Sequence, residues 1–88
     1  MTYLLVRHKV ADFNKWKLAY ERDLPARQRA GLTEMHQLHN VQNHEEVVLL
    51  FVVADLQKAM EFCNASDLRD TMQKAGVIAN PDIVFLSQ

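Results

Sequence analysis

The 88-residue sequence has little of what usually marks a specialised class of protein. Its single cysteine, Cys63, excludes an internal disulfide and fits a reducing compartment, so we expect a cytoplasmic protein. Ten basic residues nearly balance 11 acidic ones, which leaves no basic surface for nucleic acid. Because no apolar run reaches the roughly 18–20 residues of a membrane span, a membrane is not an expected partner either.

Apolar residues, by contrast, make up 49% of the chain. A chain of this length forms one domain, residues 1–88, and buries only about 60–65% of the surface that its unfolded form exposes. So much apolar character in so small a body indicates that part of its surface contacts a partner. A second copy of the same chain is the simplest partner.

One short pattern, Val-Ala-Asp, occurs at residues 10–12 and again at residues 53–55. Each copy follows an apolar run and precedes an amphipathic stretch, which is typical of a strand that leads into a helix. An aspartate at such a corner can accept hydrogen bonds from the free N–H groups of the first helical turn. The repeat therefore predicts two β-α halves, with Asp12 and Asp55 as helix caps.

The whole pattern predicts an α+β fold with the element order β-α-β-β-α-β. The predicted strands cover 2–10, 32–41, 45–54 and 77–87, and the helical regions between them are interrupted at Pro25 and near 64–66. Right-handed crossovers then give a ferredoxin-like, four-stranded antiparallel sheet with helices on one face. The predicted inward helical residues are Phe13, Trp16, Tyr20, Leu24, Leu56, Ala59, Met60, Cys63, Leu68, Met72 and Ala75.

The opposite face of this sheet has no helices to cover it. Strand alternation places Leu4, Val6 and His8 on one face of the first strand, and Leu5 and Arg7 on the other. Since the central strands are apolar, the bare face would form a large apolar patch in water. We therefore expect a homodimer in which two sheets pack face to face.

The chain resembles small bacterial proteins of the dimeric α+β barrel superfamily. The resemblance lies in VRHKVADFNKWK at residues 6–17, LRDTMQKAGV at 68–77 and PDIVFL at 81–86. It implies that two ferredoxin-like protomers form a dimeric α+β barrel, with a ligand cleft between the sheet and the helices of each. Such proteins are described as cyclase-like or antibiotic-biosynthesis-monooxygenase-like. The superfamily includes quinol-forming monooxygenases, polyketide cyclases, muconolactone isomerases and haem-degrading enzymes. The Asn, Trp and His of the haem-degrading group have no counterparts in this sequence, so no cofactor is expected.

His8 is the candidate catalytic residue. If its face of the strand looks toward the helices, it lies in an apolar cleft, where burial lowers its pKa and leaves a neutral imidazole. Trp16, Tyr20, Met60 and Arg7 are the candidate ligand-binding residues, for a small aromatic or polyketide-like molecule. The alternative is a core-edge histidine bonded to the backbone, with Trp16 and Tyr20 as ordinary core aromatics.

Three functions therefore remain open. The first is a cofactor-independent enzyme, and the second is a non-catalytic ligand-binding or structural dimer with a filled core. The third is a metal-dependent version that uses His36, His39 or His44. His36 and His39 point to opposite faces of a strand, and a tuned site needs a full ligand set, so no metal site is expected.

Overall fold

The computed structural model describes residues 1–78 and 80–88, with all of their side chains except that of residue 67. Four antiparallel strands form one sheet, in which the second strand of the chain lies at one edge, followed by the third, the first and the fourth. The helices of this part of the chain are too short and too polar for any of them to cross a membrane. The elements in chain order are β1 (Thr2–Lys9), α1 (Phe13–Arg22), α2 (Leu24–Arg29), β2 (Leu32–Asn40), β3 (Asn43–Val53), α3 (Leu56–Asn64), α4 (Ser66–Lys74) and β4 (Asp82–Ser87).

The predicted ferredoxin-like order is confirmed, and β1 and β3 occupy the two central positions of the sheet. The last strand is shorter than predicted, because β4 begins only at Asp82. Val77 forms an isolated antiparallel bridge with Val10 instead of belonging to that strand. The predicted strand also included residue 79, which lies outside the described residues.

The two Val-Ala-Asp corners have nearly the same geometry. The Asp12 carboxylate accepts a hydrogen bond from the Lys15 backbone N–H, and the Asp55 carboxylate accepts one from Lys58 N–H, both at 3.2 Å. Both aspartates have extended backbone, with φ and ψ of −143° and 113° at Asp12 and −140° and 106° at Asp55. The predicted role of both residues as helix caps is confirmed.

The predicted interruptions also lie where helical segments end. The first helix stops at Arg22 and restarts at Leu24, with Pro25 in the first turn of α2, where a missing N–H does no harm. Ala65 is extended and separates α3 from α4. Gly31 follows α2 with a φ of +76°, a left-handed geometry that turns the chain back into β2.

The core lies between the sheet and the helices, but some of the helical residues that were predicted to face the sheet are exposed. Leu24, Leu56 and Met60 are 45%, 43% and 42% exposed, so their prediction as inward residues was wrong. In α3, Ala59 is fully buried against the sheet, and Met60 follows it by about 100° around the helix axis and points to the flank. The core residues are Leu4, Val6, Val10, Trp16, Ala30, Leu32, Val47, Leu49, Phe51, Val53, Ala59 and Ala75.

The other face of the sheet carries no helix, and seven of its side chains are aliphatic. Its apolar side chains alternate with the buried ones along each strand, and they range from half-buried to exposed. Arg7 and Glu46 form an ion pair on this face, near the end where β1 leads toward α1. We call the apolar part the bare face: Leu5, Leu38, Val48, Leu50, Val52, Val84 and Leu86.

We predict that Asp12→Ala and Asp55→Ala each lower the free energy of unfolding by about 1 kcal/mol, because each removes one helix cap. The double variant should lose about 2 kcal/mol, since the two caps share no partner. Urea unfolding measures both effects. Asp12→Asn and Asp55→Asn are the matched controls, because asparagine caps as well as aspartate does. A loss in the asparagine variants as large as in the alanine variants would contradict capping.

Candidate active site

A cavity lies between the helix-facing side of the sheet and the helices. The centre of a water-sized sphere can move through about 70 Å³ of this cavity. All of the empty space between its walls, including the part open to solvent, is about 620 Å³. An engineered cavity that binds benzene has roughly 150 Å³, so a ring enters only partly unless the walls move. The lining residues from the first half are Leu4, Val6, His8, Trp16, Ala19, Tyr20, Asp23, Arg27 and Leu32, and those from the second are Leu49, Phe51, Phe62, Cys63, Leu68, Thr71, Met72, Ala75 and Ile83.

His8 projects from β1 into this cavity and is only 5% exposed. Neither ring nitrogen has a hydrogen-bond partner among the described residues. Burial lowers the pKa of His8 from 6.5 to about 4, because an apolar surrounding disfavours the charged imidazolium. At neutral pH the ring is therefore uncharged, with one N–H donor and one acceptor nitrogen, both buried and without a partner among the described residues. A backbone-bonded core histidine, the alternative reading, does not match this geometry.

Trp16 and Tyr20 form the aromatic wall beside His8. The Trp16 ring centroid lies 5.4 Å from that of His8 and 4.8 Å from that of Tyr20, on which it stacks. The Tyr20 hydroxyl donates to the Glu34 carboxylate at 2.7 Å. Burial and this hydrogen bond raise the pKa of Tyr20, so the phenol stays protonated and contributes its ring rather than an acid.

The sequence reasoning missed Arg27. This residue is only 7% exposed, lines the cavity and places its guanidinium carbon 3.7 Å from the centre of the Tyr20 ring. Arg27 follows Tyr20 by two helical turns, a spacing that puts residues on one helix face. The break at Asp23 made that periodicity unusable as a signal, because a helical interruption resets the direction of the side chains that follow.

The second half of the chain supplies the apolar wall. Phe62 and Cys63 from α3 and Leu68 and Met72 from α4 face the cavity, and only Phe62 among them was not anticipated. Cys63 is half-buried, and burial raises the pKa of its thiol. It therefore stays a thiol at neutral pH and is not an activated nucleophile.

Met60 and Arg7 do not line this cavity. Met60 faces outward from α3 and borders a shallow surface depression with Leu56. Arg7 lies on the helix-free side of the sheet, where its Nε donates to Glu46. This hydrogen bond raises the pKa of Arg7 and lowers that of Glu46. Neither residue is brought together with His8.

The remaining histidines form a separate cluster or stand alone. The rings of His39 and His44 stack at 4.1 Å with only 8° between their planes, and His39 Nδ1 lies 2.8 Å from the His44 carbonyl oxygen. Phe13 packs against both rings. His36 lies on the opposite face of β2, as strand alternation predicts. No group of three potential metal ligands occurs among the residues that the structure describes.

Comparison with known proteins shows similarity of structure only. No protein-family model matches the sequence. A search of curated proteins finds no match either. A Bordetella bronchiseptica protein presumed to be an antibiotic biosynthesis monooxygenase superimposes with a TM-score of 0.77 and 11% identity, over 99% of this chain and 95% of the other. SnoaB, a cofactor-independent oxygenase from Streptomyces nogalater, gives 0.75 and 10%, over 99% and 91%.

A third solved structure gives the same result. A protein from Nitrosomonas europaea, also presumed to be an antibiotic biosynthesis monooxygenase, superimposes with a TM-score of 0.69 and 15% identity, over 100% of this chain and 98% of the other. The chain therefore has the ferredoxin-like α+β fold of these monooxygenase-like proteins, as the resemblance implied. Identities this low establish the fold, and function needs evidence from the cavity itself.

We predict that His8 makes the protein acid-sensitive. Between pH 6.5 and about 4, the unfolded chain binds a proton at His8 that the folded chain does not, so stability falls as the pH is lowered through this window. The loss is on the order of 3 kcal/mol at pH 4 relative to pH 7. His8→Leu should remove this part of the pH dependence in urea unfolding. His44→Leu, which replaces an exposed histidine outside the cavity lining and the bare face, should retain it. Equal slopes in all three proteins would refute the prediction.

Proposed function

We propose that the cavity binds a compact aromatic molecule and that His8 is the catalytic base of a cofactor-independent enzyme. The base would remove a proton from an enolisable or phenolic group, the first step shared by oxygenases, cyclases and isomerases that act through an enolate. The observation that carries the proposal is the buried His8 ring, whose two nitrogens have no partner among the described residues. A buried polar group without a partner costs free energy, which a ligand's hydrogen bonds would recover.

The walls of the cavity support an aromatic ligand. Trp16 and Phe51 are each 3% exposed and present apolar surface to the interior, and the Trp16 ring centroid lies 5.4 Å from that of His8. An apolar pocket with few convergent polar groups is the usual form of a small-molecule site. The structural likeness to the cofactor-independent oxygenase SnoaB is consistent with this type of chemistry.

A second candidate is a non-catalytic ligand-binding or structural dimer. The observation that favours it is the small free volume of about 70 Å³, which suits a nearly filled core. In that case the low pKa of His8 reflects desolvation alone, and the ring serves packing.

One experiment separates the candidates, with phenylacetone as the probe. We predict that the protein accelerates the exchange of the benzylic hydrogens of phenylacetone with D₂O. His8 would remove one of these protons, and the solvent would return a deuteron to the resulting enolate. The single tryptophan, Trp16, should report binding by a change in fluorescence. His8→Leu should lower the exchange rate about 100-fold or more, a typical contribution of a general base. His44→Leu, outside the cavity lining and the bare face, should leave the rate unchanged.

The other results point to the alternatives. Binding without accelerated exchange would favour a ligand-binding dimer. Neither binding nor exchange would favour a structural dimer with a filled core, and would count against a small-molecule site.

We also propose that two copies pair through their bare faces, and that the dimer works in the reducing cytoplasm, which suits the lone Cys63. Seven apolar side chains on one helix-free sheet surface, with Leu50 beside Leu5 at its middle, support this pairing. A two-fold interface uses the same patch on both copies, so an apolar face is complementary to itself. The Arg7–Glu46 pair would lie at its edge.

We predict that Leu50→Lys converts the dimer into a folded monomer at micromolar concentration, because two buried ammonium groups would meet at the interface. Sedimentation equilibrium measures the mass, and circular dichroism checks the fold. Leu24→Lys is the matched control, since Leu24 is 45% exposed on α2, away from the bare face, and should leave a dimer. A wild-type protein that sediments as a monomer would refute the proposed pairing.

A further inference from the structure

Arg27 is a buried cation whose partners in the described structure are few. It is 7% exposed, and its Nη1 donates to the Tyr20 carbonyl oxygen at 2.6 Å. A guanidinium carries five N–H donors, so one hydrogen bond leaves most of them without a protein acceptor among the described residues. Its guanidinium carbon also lies over the Tyr20 ring, which attracts the charge but accepts no conventional hydrogen bond.

No described carboxylate lies within ion-pair distance of the Arg27 guanidinium. Among the side chains that the structure describes, only Arg7 and Glu46 form an ion pair within 4.0 Å. Asp23 lines the same cavity but meets Arg27 through backbone, its carbonyl accepting the Arg27 N–H at 3.3 Å. Glu34 accepts from the Tyr20 hydroxyl. Removing a cation from water without an anion is costly, so a buried guanidinium usually has a carboxylate or phosphate partner.

We propose that Arg27 is the anion-binding residue of this cavity, which therefore takes a compact aromatic ligand with an ionised oxygen group, such as a carboxylate. The proposal rests on the proposed small-molecule site and names its ligand class. Arginine is suited to the role, since its planar fork matches the two oxygens of a carboxylate. An enolate formed after proton removal presents the same chemistry, so Arg27 would also stabilise that intermediate.

Different residues around Arg27 would contact the ring and the anionic group of the ligand. The ring of the ligand would pack against Trp16 and the apolar wall of Phe62 and Leu68, which together line the cavity. His8 is neutral at physiological pH and can donate its N–H to the same anion without adding a formal charge. Arg27 then supplies the only positive charge among the described lining residues. Asp23 and Arg27 are the charged residues of the described lining. A ligand carboxylate can accept from the Arg27 donors that have no protein acceptor, so the cavity would distinguish ligands by charge rather than by shape.

The test compares benzoate with benzamide, which have nearly the same shape but differ in charge. Trp16 fluorescence measures both affinities at pH 7. The wild-type protein should bind benzoate at least about tenfold more tightly, the ratio expected of one charge-assisted hydrogen bond. Arg27→Gln should abolish this preference, because benzoate loses more affinity than benzamide does. Arg29→Gln, which removes an exposed charge from the same helix, should retain it.

A second measurement does not depend on the folding of a variant. In ¹H–¹⁵N spectra of the wild-type protein, the Arg27 Nε–H resonance should shift with benzoate and not with benzamide. Equal affinities for the two probes, or a benzoate preference that survives Arg27→Gln, would overturn the anion role and leave the aromatic site intact. Failure of both probes to bind would overturn the anion role and the proposed small-molecule site together.

Discussion

The pairing of β1 with β3 on one side and β4 on the other decides which side chains of the whole sheet face the helices. Leu4 lies between Phe51 and Phe85, and Leu5 lies between Leu50 and Val84. Since paired residues of antiparallel strands lie on the same face of the sheet, the alternation of side chains along β1 determines which residues of its neighbours face the helices. The cavity and the bare face are therefore two sides of the same strand.

The free-energy cost of burying His8 is the main support for the proposal that the helix-facing side of the sheet binds a ligand. Leu4 and Val6 precede it on the same face and are 1% and 5% exposed, so an aliphatic residue at position 8 would continue a well-packed row. The imidazole instead gives up its hydration, and its described surroundings return no hydrogen bond. A stable small domain has little free energy to spare, which makes a ligand-related role for this ring the stronger interpretation.

The sequence was sufficient for features that depend on local chemistry. The two Asp caps, the break at Pro25 and the alternation of β1 follow from backbone hydrogen bonding and side-chain spacing alone, and all were confirmed. The wrong predictions concern which side of a helix faces the sheet and which residues of separate segments come into contact. Met60 was assigned inward because a nine-residue helix allows several apolar stripes, and only packing against the sheet selects among them. Arg27 was missed because arginines are mostly surface residues, and its burial depends on Tyr20.

Because one strand serves both faces, its register has to be held firmly. A slip of one residue would place Arg7 in the cavity and His8 on the bare face. Backbone hydrogen bonds beyond the strand ends oppose this: Val10 N–H donates to the Glu45 carbonyl at 2.9 Å, and Gln88 N–H donates to the Met1 carbonyl at 3.0 Å. The charges add a second restraint, since a slipped Arg7 would lose its Glu46 partner and enter an apolar cavity that already holds the Arg27 cation. The same buried charge that favours an anionic ligand thus also disfavours the wrong register of β1.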